Sequence, residues 1–174
     1  MEQKSTFLPA MRFAVLNGVI LIVFLLILFL LNVRDKSPIR FISSVIYIGL
    51  LYWGITNIRN HQLDGVMNYG KAFSVGFLIS LFTALFVGVF MFFYYKYIDM
   101  GAMDRLKGIA EQNILTRTPD ISDVELNKQL TFYQTFVANP LASAFWSFIG
   151  AVFSGTIFSL IIAIFAKRED RTLA

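Results

Sequence analysis

Residues 141–166 read LASAFWSFIGAVFSGTIFSLIIAIFA, without one charged side chain. A helix needs roughly 20 apolar residues to cross the hydrocarbon core of a bilayer. Three earlier stretches are of the same kind, residues 13–33, 41–58 and 73–95. We therefore predict an all-α fold, an integral membrane four-helix bundle that forms one domain of 174 residues.

The composition supports the membrane assignment. Hydrophobic residues make up 57% of the chain and charged residues 15%, whereas soluble domains average about 45–50% and 25%. The first apolar run is longer than the roughly 7–15 residues of a signal-peptide core, and no small-residue cleavage pattern follows it. We predict that it stays in the protein as a membrane anchor.

The connections between the spans differ greatly in length. The charged turn at 34–38 is short, which makes the first two spans antiparallel neighbours. Residues 96–140 form the long extramembrane connection, for which we predict an amphipathic helical hairpin with a first helix near 97–112. Its second helix is expected from Asp123 towards Val137, because Ser122 and Glu125 match a capping box.

The apolar side of this second helix faces either lipid or the bundle, so the hairpin lies on the membrane surface or caps the bundle. The dipeptide Asn139-Pro140 then kinks the chain or restarts it as a new helix. Aromatic residues crowd the end of the third span, and Phe145 and Trp146 open the fourth. This pattern is typical of the belt at a membrane interface.

Small residues recur every four positions in two spans, and such positions share a helix face. In lipid, small side chains allow helices to approach closely. We predict that the third and fourth spans pack groove to groove, or that one groove is a dimer surface. The helix-packing residues are Gly76, Ser80, Ala84 and Gly88 in the third span, and Ser147, Ala151, Gly155 and Ser159 in the fourth.

The chain offers little for catalysis or ion coupling. It has no cysteine and one histidine, His61, and His61 with Asp64 supplies too few ligands for a defined metal site. No charged residue lies inside the four apolar runs, which disfavours a proton-coupled pump. We predict no catalytic residue, no metal and no cofactor.

Basic residues flank the spans, where they anchor helices to lipid headgroups. We expect headgroup contacts from Lys71, Arg59, Lys167 and Arg168. Lysine and arginine are almost evenly divided between the two sides, but the Lys167-Arg168 pair favours cytoplasmic termini. No basic block suggests nucleic-acid binding. We predict a multi-pass protein of the cell inner membrane.

Several motifs resemble those of a family of small bacterial membrane proteins, domain of unknown function 4199, over residues 13–168. The resemblance implies a four-helix inner-membrane protein with a long connection between helices three and four, and it implies no activity and no site residues. It is carried by Gly54-Ile55 with Arg59, by Asn68-Tyr69-Gly70-Lys71-Ala72-Phe73-Ser74-Val75-Gly76, by Asn139-Pro140, and by Ser159-Leu160-Ile161-Ile162-Ala163 followed by Lys167-Arg168.

Three functions remain open from the sequence. The first is a non-enzymatic membrane protein that acts by helix association, as a homo-oligomer or with a membrane partner subunit. The second is a small transporter or channel subunit for a neutral or lipid-like substrate. The third, a lipid-modifying enzyme, requires a site built from His61, Asp64 or the acidic connection. The positions expected to matter most are Gly70, Lys71, Phe73 and Gly76.

Overall fold

The computed structural model describes residues 5–33, 39 and 41–168, and the predicted turn at 34–38 lies outside them. Within these ranges the chain is built from α-helices. They are α1 (Phe7–Leu30), α2 (Phe41–Gln62), α3 (Tyr69–Phe93), α4 (Ala102–Arg117), α5 (Asp123–Phe136) and α6 (Pro140–Ala166), and a π-helical turn, Tyr94–Ile98, follows α3 directly.

The predicted all-α membrane fold is confirmed. Four helices are long and apolar enough to cross a membrane: α1, α2, α6 and α3 together with its π-helical turn. Their ends differ from the apolar runs, since α1 begins at Phe7 and α2 continues to Gln62. The first span also ends before residue 33, because Asn32 adopts a left-handed conformation with φ 49°, a common helix stop.

The described chain separates into two compact units. The core unit comprises the described residues of Met1–Val87 and Gly150–Ala174, and the hairpin unit comprises Gly88–Ile149. In the core unit, α1, α2, α3 and α6 all contribute to one apolar cluster. Its fully buried members include Ala10, Leu51, Ile55, Val75, Ile79 and Ala163.

One end of the core unit is closed by polar contacts around the end of α6. The Arg59 guanidinium donates to the Ala166 carbonyl at 2.8 Å. The loop after α2 turns through Asp64 and Gly65, whose φ angles are positive. Beyond this turn, Met67 and Arg168 exchange two backbone hydrogen bonds of 2.8 and 2.7 Å. Arginine at a helix C-terminus satisfies carbonyls that have no partner within the helix.

The hairpin unit corrects one predicted boundary. Its first helix, α4, starts at Ala102 rather than near residue 97, because residues 94–98 continue α3 as the π-helical turn. Asp99 follows this turn and binds Arg105 through two hydrogen bonds of 3.0 and 2.6 Å. This ion pair holds the bend between the turn and α4.

Capping side chains set the other two helix starts in the hairpin unit, and one of them, Ser122, was predicted as a cap. The Ser122 side chain accepts from the Glu125 amide at 3.3 Å, which confirms Ser122 as the N-cap of α5. Asn139 accepts from the Ala142 amide at 2.9 Å and donates to the Thr135 carbonyl at 2.6 Å. It therefore ends α5 and starts α6, so Asn139-Pro140 restarts the helix, with proline at a favoured first position.

Candidate functional site

Two glycines mark a close contact between α3 and α6 in the core unit. A Cβ atom added at Gly76 would lie 3.0 Å from the Ser159 side chain, and one added at Gly155 would lie 2.7 Å from Ser80 Cβ. Both distances are far below ordinary van der Waals contact, so neither glycine position has room for a side chain. Within this unit, the small-residue faces of α3 and α6 lie against each other.

Hydroxyl groups join the two helices at the same place. The Ser80 and Ser159 Oγ atoms are 3.2 Å apart, and both residues are almost completely buried. The Ser159 hydroxyl donates to the Gly155 carbonyl of its own helix at 2.7 Å, and the Ser80 hydroxyl donates to the same carbonyl at 3.4 Å. The Tyr47 hydroxyl of α2 lies at the same place, because a Cβ atom added at Gly155 would be 2.6 Å from it. Hydroxyl groups of α2, α3 and α6 are therefore gathered here.

The other predicted packing residues lie in different surroundings. Ala84 is buried in the core unit, and Ala151 is half-buried there. In the hairpin unit, a Cβ at Gly88 would lie 3.2 Å from Phe148 Cβ, and the Ser147 hydroxyl donates to the Ser143 carbonyl at 2.8 Å. The alternative of a dimer surface stays a prediction.

A cavity of about 290 Å³ lies next to the hydroxyl network, within the core unit. All four candidate spans contribute to its wall, α1 through Leu21 and α6 through Ala151, Ser154 and Phe158. None of the described lining residues is an acid, a base or a histidine. Six carry a hydroxyl group, and they are Ser43, Ser44, Tyr47, Ser80, Thr83 and Ser154.

Asn17 is a second unusual feature of the core unit. Its side chain is completely buried, and neither Oδ1 nor Nδ2 has a hydrogen-bond partner in the described part of the chain. One turn before it, the Ala14 carbonyl accepts from Thr83 at 3.3 Å; one turn after it comes Leu21. Thr83 and Leu21 both line the cavity. Since positions three and four apart share a helix face, Asn17 is on the same side of α1 as Leu21, but Asn17 is not itself among the residues that line the cavity.

An unpaired buried amide is costly. Leaving a buried donor or acceptor unsatisfied costs about 1–3 kcal/mol, and the membrane interior offers no water to relieve this cost. Such groups in native proteins therefore call for an explanation such as a ligand or a structural water.

The four cationic residues expected to contact lipid all belong to the core unit. Arg59 is half-buried and already donates to Ala166 and, at 2.9 Å, to Asn60. Lys71 is half-buried near the start of α3, where its amide is capped by the Asn68 side chain at 2.9 Å. Lys167 and Arg168 are exposed directly after α6. Their binding to headgroups stays a prediction.

His61, at the end of α2, and Asp64, in the loop that follows, do not belong to a metal-binding cluster of the described residues. His61 is exposed, and its Nδ1 atom lies 3.0 Å from the Asn57 carbonyl of its own helix. Across residues 5–33 and 41–168, no group of three or more histidine, aspartate or glutamate side chains could hold a metal ion. Gly70 and Phe73, also singled out from the sequence, lie in the first turns of α3.

A larger cavity, of about 540 Å³, lies between α4 and α5 in the hairpin unit. Its wall includes apolar residues such as Ile114 and Phe132, together with the charged Arg117, Glu125 and Lys128. Lys128 lies 3.9 Å from Glu125. This cavity thus presents mixed charge, in contrast to the uncharged wall of the cavity in the core unit.

The model of one protein family, described as a protein of unknown function (DUF4199), matches residues 12–168. The chain belongs to the DUF4199 family. No curated protein and no solved structure matches it. Membership in DUF4199 agrees with the resemblance carried by the glycine, lysine and proline motifs, and it adds no activity. The chemistry of the core unit is therefore the basis for a functional proposal.

Sequence reasoning did not single out the cavity of this DUF4199 protein. Asn17 was visible only as a polar interruption of an apolar run, and Ser43, Ser44 and Tyr47 were passed over in the shortest span. A signal was present, since residues 43, 44 and 47 lie within about one helical turn, as do Ser80 and Thr83. Clusters of hydroxyl groups on the second and third spans indicate that these spans face a common polar cavity.

The close packing of α3 against α6 can be tested with a matched pair of glycine substitutions in α6. We expect Gly155→Ala to lower the thermal stability of the purified protein in detergent, with an overpacking cost of about 1–3 kcal/mol. Gly150→Ala, on the same helix, has no heavy atom within 4 Å of the new Cβ and should leave the melting temperature unchanged or raise it slightly. Equal melting temperatures for the two variants would contradict the packing argument.

Proposed function

We propose that this protein is a non-enzymatic multi-pass membrane protein that binds an uncharged, lipid-like molecule in the cavity of the core unit. The observation that carries the proposal is a cavity lined by hydroxyl groups from membrane-spanning helices, with no carboxylic acid, lysine, arginine or histidine among its described lining residues. This function corresponds to a transporter, channel subunit or carrier for a neutral substrate.

The chemistry of the wall selects the ligand class. Hydroxyl groups donate and accept hydrogen bonds, so they suit an alcohol, a ketone or an ester. A carboxylate or phosphate would bring a charge into a place with no described cation to balance it, which is unfavourable at low dielectric. A volume of about 290 Å³ lies at the lower limit of small-molecule pockets, which are about 300–1,000 Å³. We therefore infer that the polar end of the ligand enters the cavity.

The composition supports the same reading. The absence of cysteine and the single histidine support a binding role rather than catalysis.

The proposal includes the membrane in which the protein lies and its orientation there. We place the protein in the cell inner membrane with both termini in the cytoplasm. Lys167 and Arg168 directly follow the last span, and basic residues next to spans are enriched on the cytoplasmic side.

A second function, helix association, is favoured by two glycines. Gly49 of α2 and Gly150 of α6 are exposed, and a Cβ atom at either would meet no heavy atom within 4 Å. Bare glycine surfaces in a span allow another helix to approach closely. The helix surfaces at Gly76 and Gly155 are already covered by other helices of the core unit. Self-association or partner binding would therefore use the surfaces at Gly49 and Gly150.

Ligand binding is tested by photolabelling in membranes with a long-chain alcohol that carries a diazirine. We expect labelled peptides from α3 and α6, protection by unlabelled alcohol, and no protection by the fatty acid of equal length. Ala151→Phe should abolish labelling because the ring fills the cavity, whereas Ile157→Phe, at an exposed position of the same helix, should not. Full labelling of a well-folded Ala151→Phe protein would refute the proposal.

Asn17→Leu separates stability from binding. Removal of the unpaired amide should raise the free energy of unfolding by about 1–3 kcal/mol, measured by thermal unfolding in detergent. The same change should leave labelling by the alcohol unaltered, because Asn17 is fully buried and is not among the residues that line the cavity. A less stable variant would contradict this expectation and would show that the amide has a role in the fold.

Association is tested by crosslinking in native membranes. Gly150→Leu should reduce any crosslinked dimer or partner complex, since the larger side chain keeps the second helix away. Ile157→Leu, on the same helix, serves as the conservative control. Absence of any crosslinked species in the unsubstituted protein would remove the association hypothesis.

A further inference from the structure

In the hairpin unit, α5 has two different apolar sides. Leu130 is buried and Tyr133 is half-buried, so this side of the helix faces the protein. Phe132 and Phe136 are instead 64% and 54% exposed, with their ring centroids 4.7 Å apart. Although Phe132 also lines the cavity between α4 and α5, more than half of each phenylalanine is exposed, which is unfavourable in water.

These two rings are connected to the beginning of a membrane span. The Trp146 indole of α6 donates to the Phe136 carbonyl at 2.9 Å, and the Phe145 and Trp146 ring centroids are 5.7 Å apart. Phe145 and Trp146 are each 54% exposed. The aromatic patch formed by Phe132, Phe136, Phe145 and Trp146 therefore extends from α5 onto the first turns of α6.

Three exposed polar residues of α5 lie on a separate side, whereas Glu125 and Gln129, each seven residues before one of the phenylalanines, share their direction. Asn127, Thr131 and Gln134 are exposed, and at 100° per residue they point away from the direction of Phe132 and Phe136. Lys128, next to the phenylalanine side, has a side chain that is 79% exposed. A helix with one aromatic side, one polar side and a flanking lysine is typical of helices that lie in the plane of a membrane interface.

We propose that the aromatic patch is a lipid-binding surface that holds α5 in the headgroup region of the bilayer. Its continuity with α6 carries the argument, because α6 is long and apolar enough to cross the membrane. The first turns of such a span lie at the interface, where tryptophan and other aromatic residues are enriched. The Phe136 carbonyl, bound by Trp146, is therefore at the same depth as the interface.

This inference does not depend on the ligand cavity of the core unit. It concerns the extramembrane connection. The sequence allowed two positions for this connection, either on the membrane surface or over the bundle. Burial of Leu130 against the protein accounts for one apolar side of α5, and the aromatic patch requires lipid for the other. The connection thus acts as an interfacial anchor beside the last span.

The experiment uses the absence of cysteine in the chain. Single-cysteine proteins Phe132→Cys and Gln134→Cys are labelled with the fluorophore NBD and reconstituted, full length and alone, into phosphatidylcholine vesicles. We expect blue-shifted NBD emission at position 132 and strong quenching by nitroxide-labelled lipids. At position 134 we expect emission typical of water and little quenching. Nitroxide lipids in both leaflets make the result independent of protein orientation in the vesicle.

Phe136→Cys provides a second test if Phe132→Cys does not fold, as judged by circular dichroism and size-exclusion chromatography. It should behave like position 132. Equal emission and equal quenching at positions 132, 134 and 136 would overturn the proposal. Water-like emission at 132 and 136 would also overturn it, and would indicate that a partner protein covers the patch in cells.

Discussion

The close approach of α3 and α6 is the constraint on which the core unit depends. In lipid, helices gain little from hydrophobic exclusion and associate mainly through close packing and interhelical hydrogen bonds. Gly76 and Gly155 leave no space for a side chain, and this proximity brings Ser80 and Ser159 into hydrogen-bond distance. Steric fit and polar pairing therefore occur at the same point and reinforce each other.

The contact between α3 and α6 also adjoins the cavity of the core unit. Ser80 belongs to the network between α3 and α6 and also to the wall of the cavity, together with Tyr47 and Thr83. An uncharged polar wall inside a membrane is compatible with folding because hydroxyl groups can bond within the protein. Asn17 is the exception, since its amide remains unpaired.

Several local features were predictable from the sequence because they depend on neighbouring residues. Ser122 caps α5, and Asn139-Pro140 restarts the chain as α6. The start of α4 was not predictable in the same way, because the π-helical turn and the pair between Asp99 and Arg105 displace it. Phe132 and Leu130 also looked alike as apolar residues of one helix, and only the packing of the hairpin unit distinguishes them.

The amino-acid sequence by itself determined the solvent and the architecture. Long uncharged apolar runs have to form membrane helices, because backbone groups in lipid must be satisfied within the segment. The family and the small-residue faces were also visible in it. Only the tertiary structure decided which small residues meet and which hydroxyl groups share a cavity. These properties depend on the distances between helices far apart in the chain, and those distances result from packing rather than from the composition of any single span.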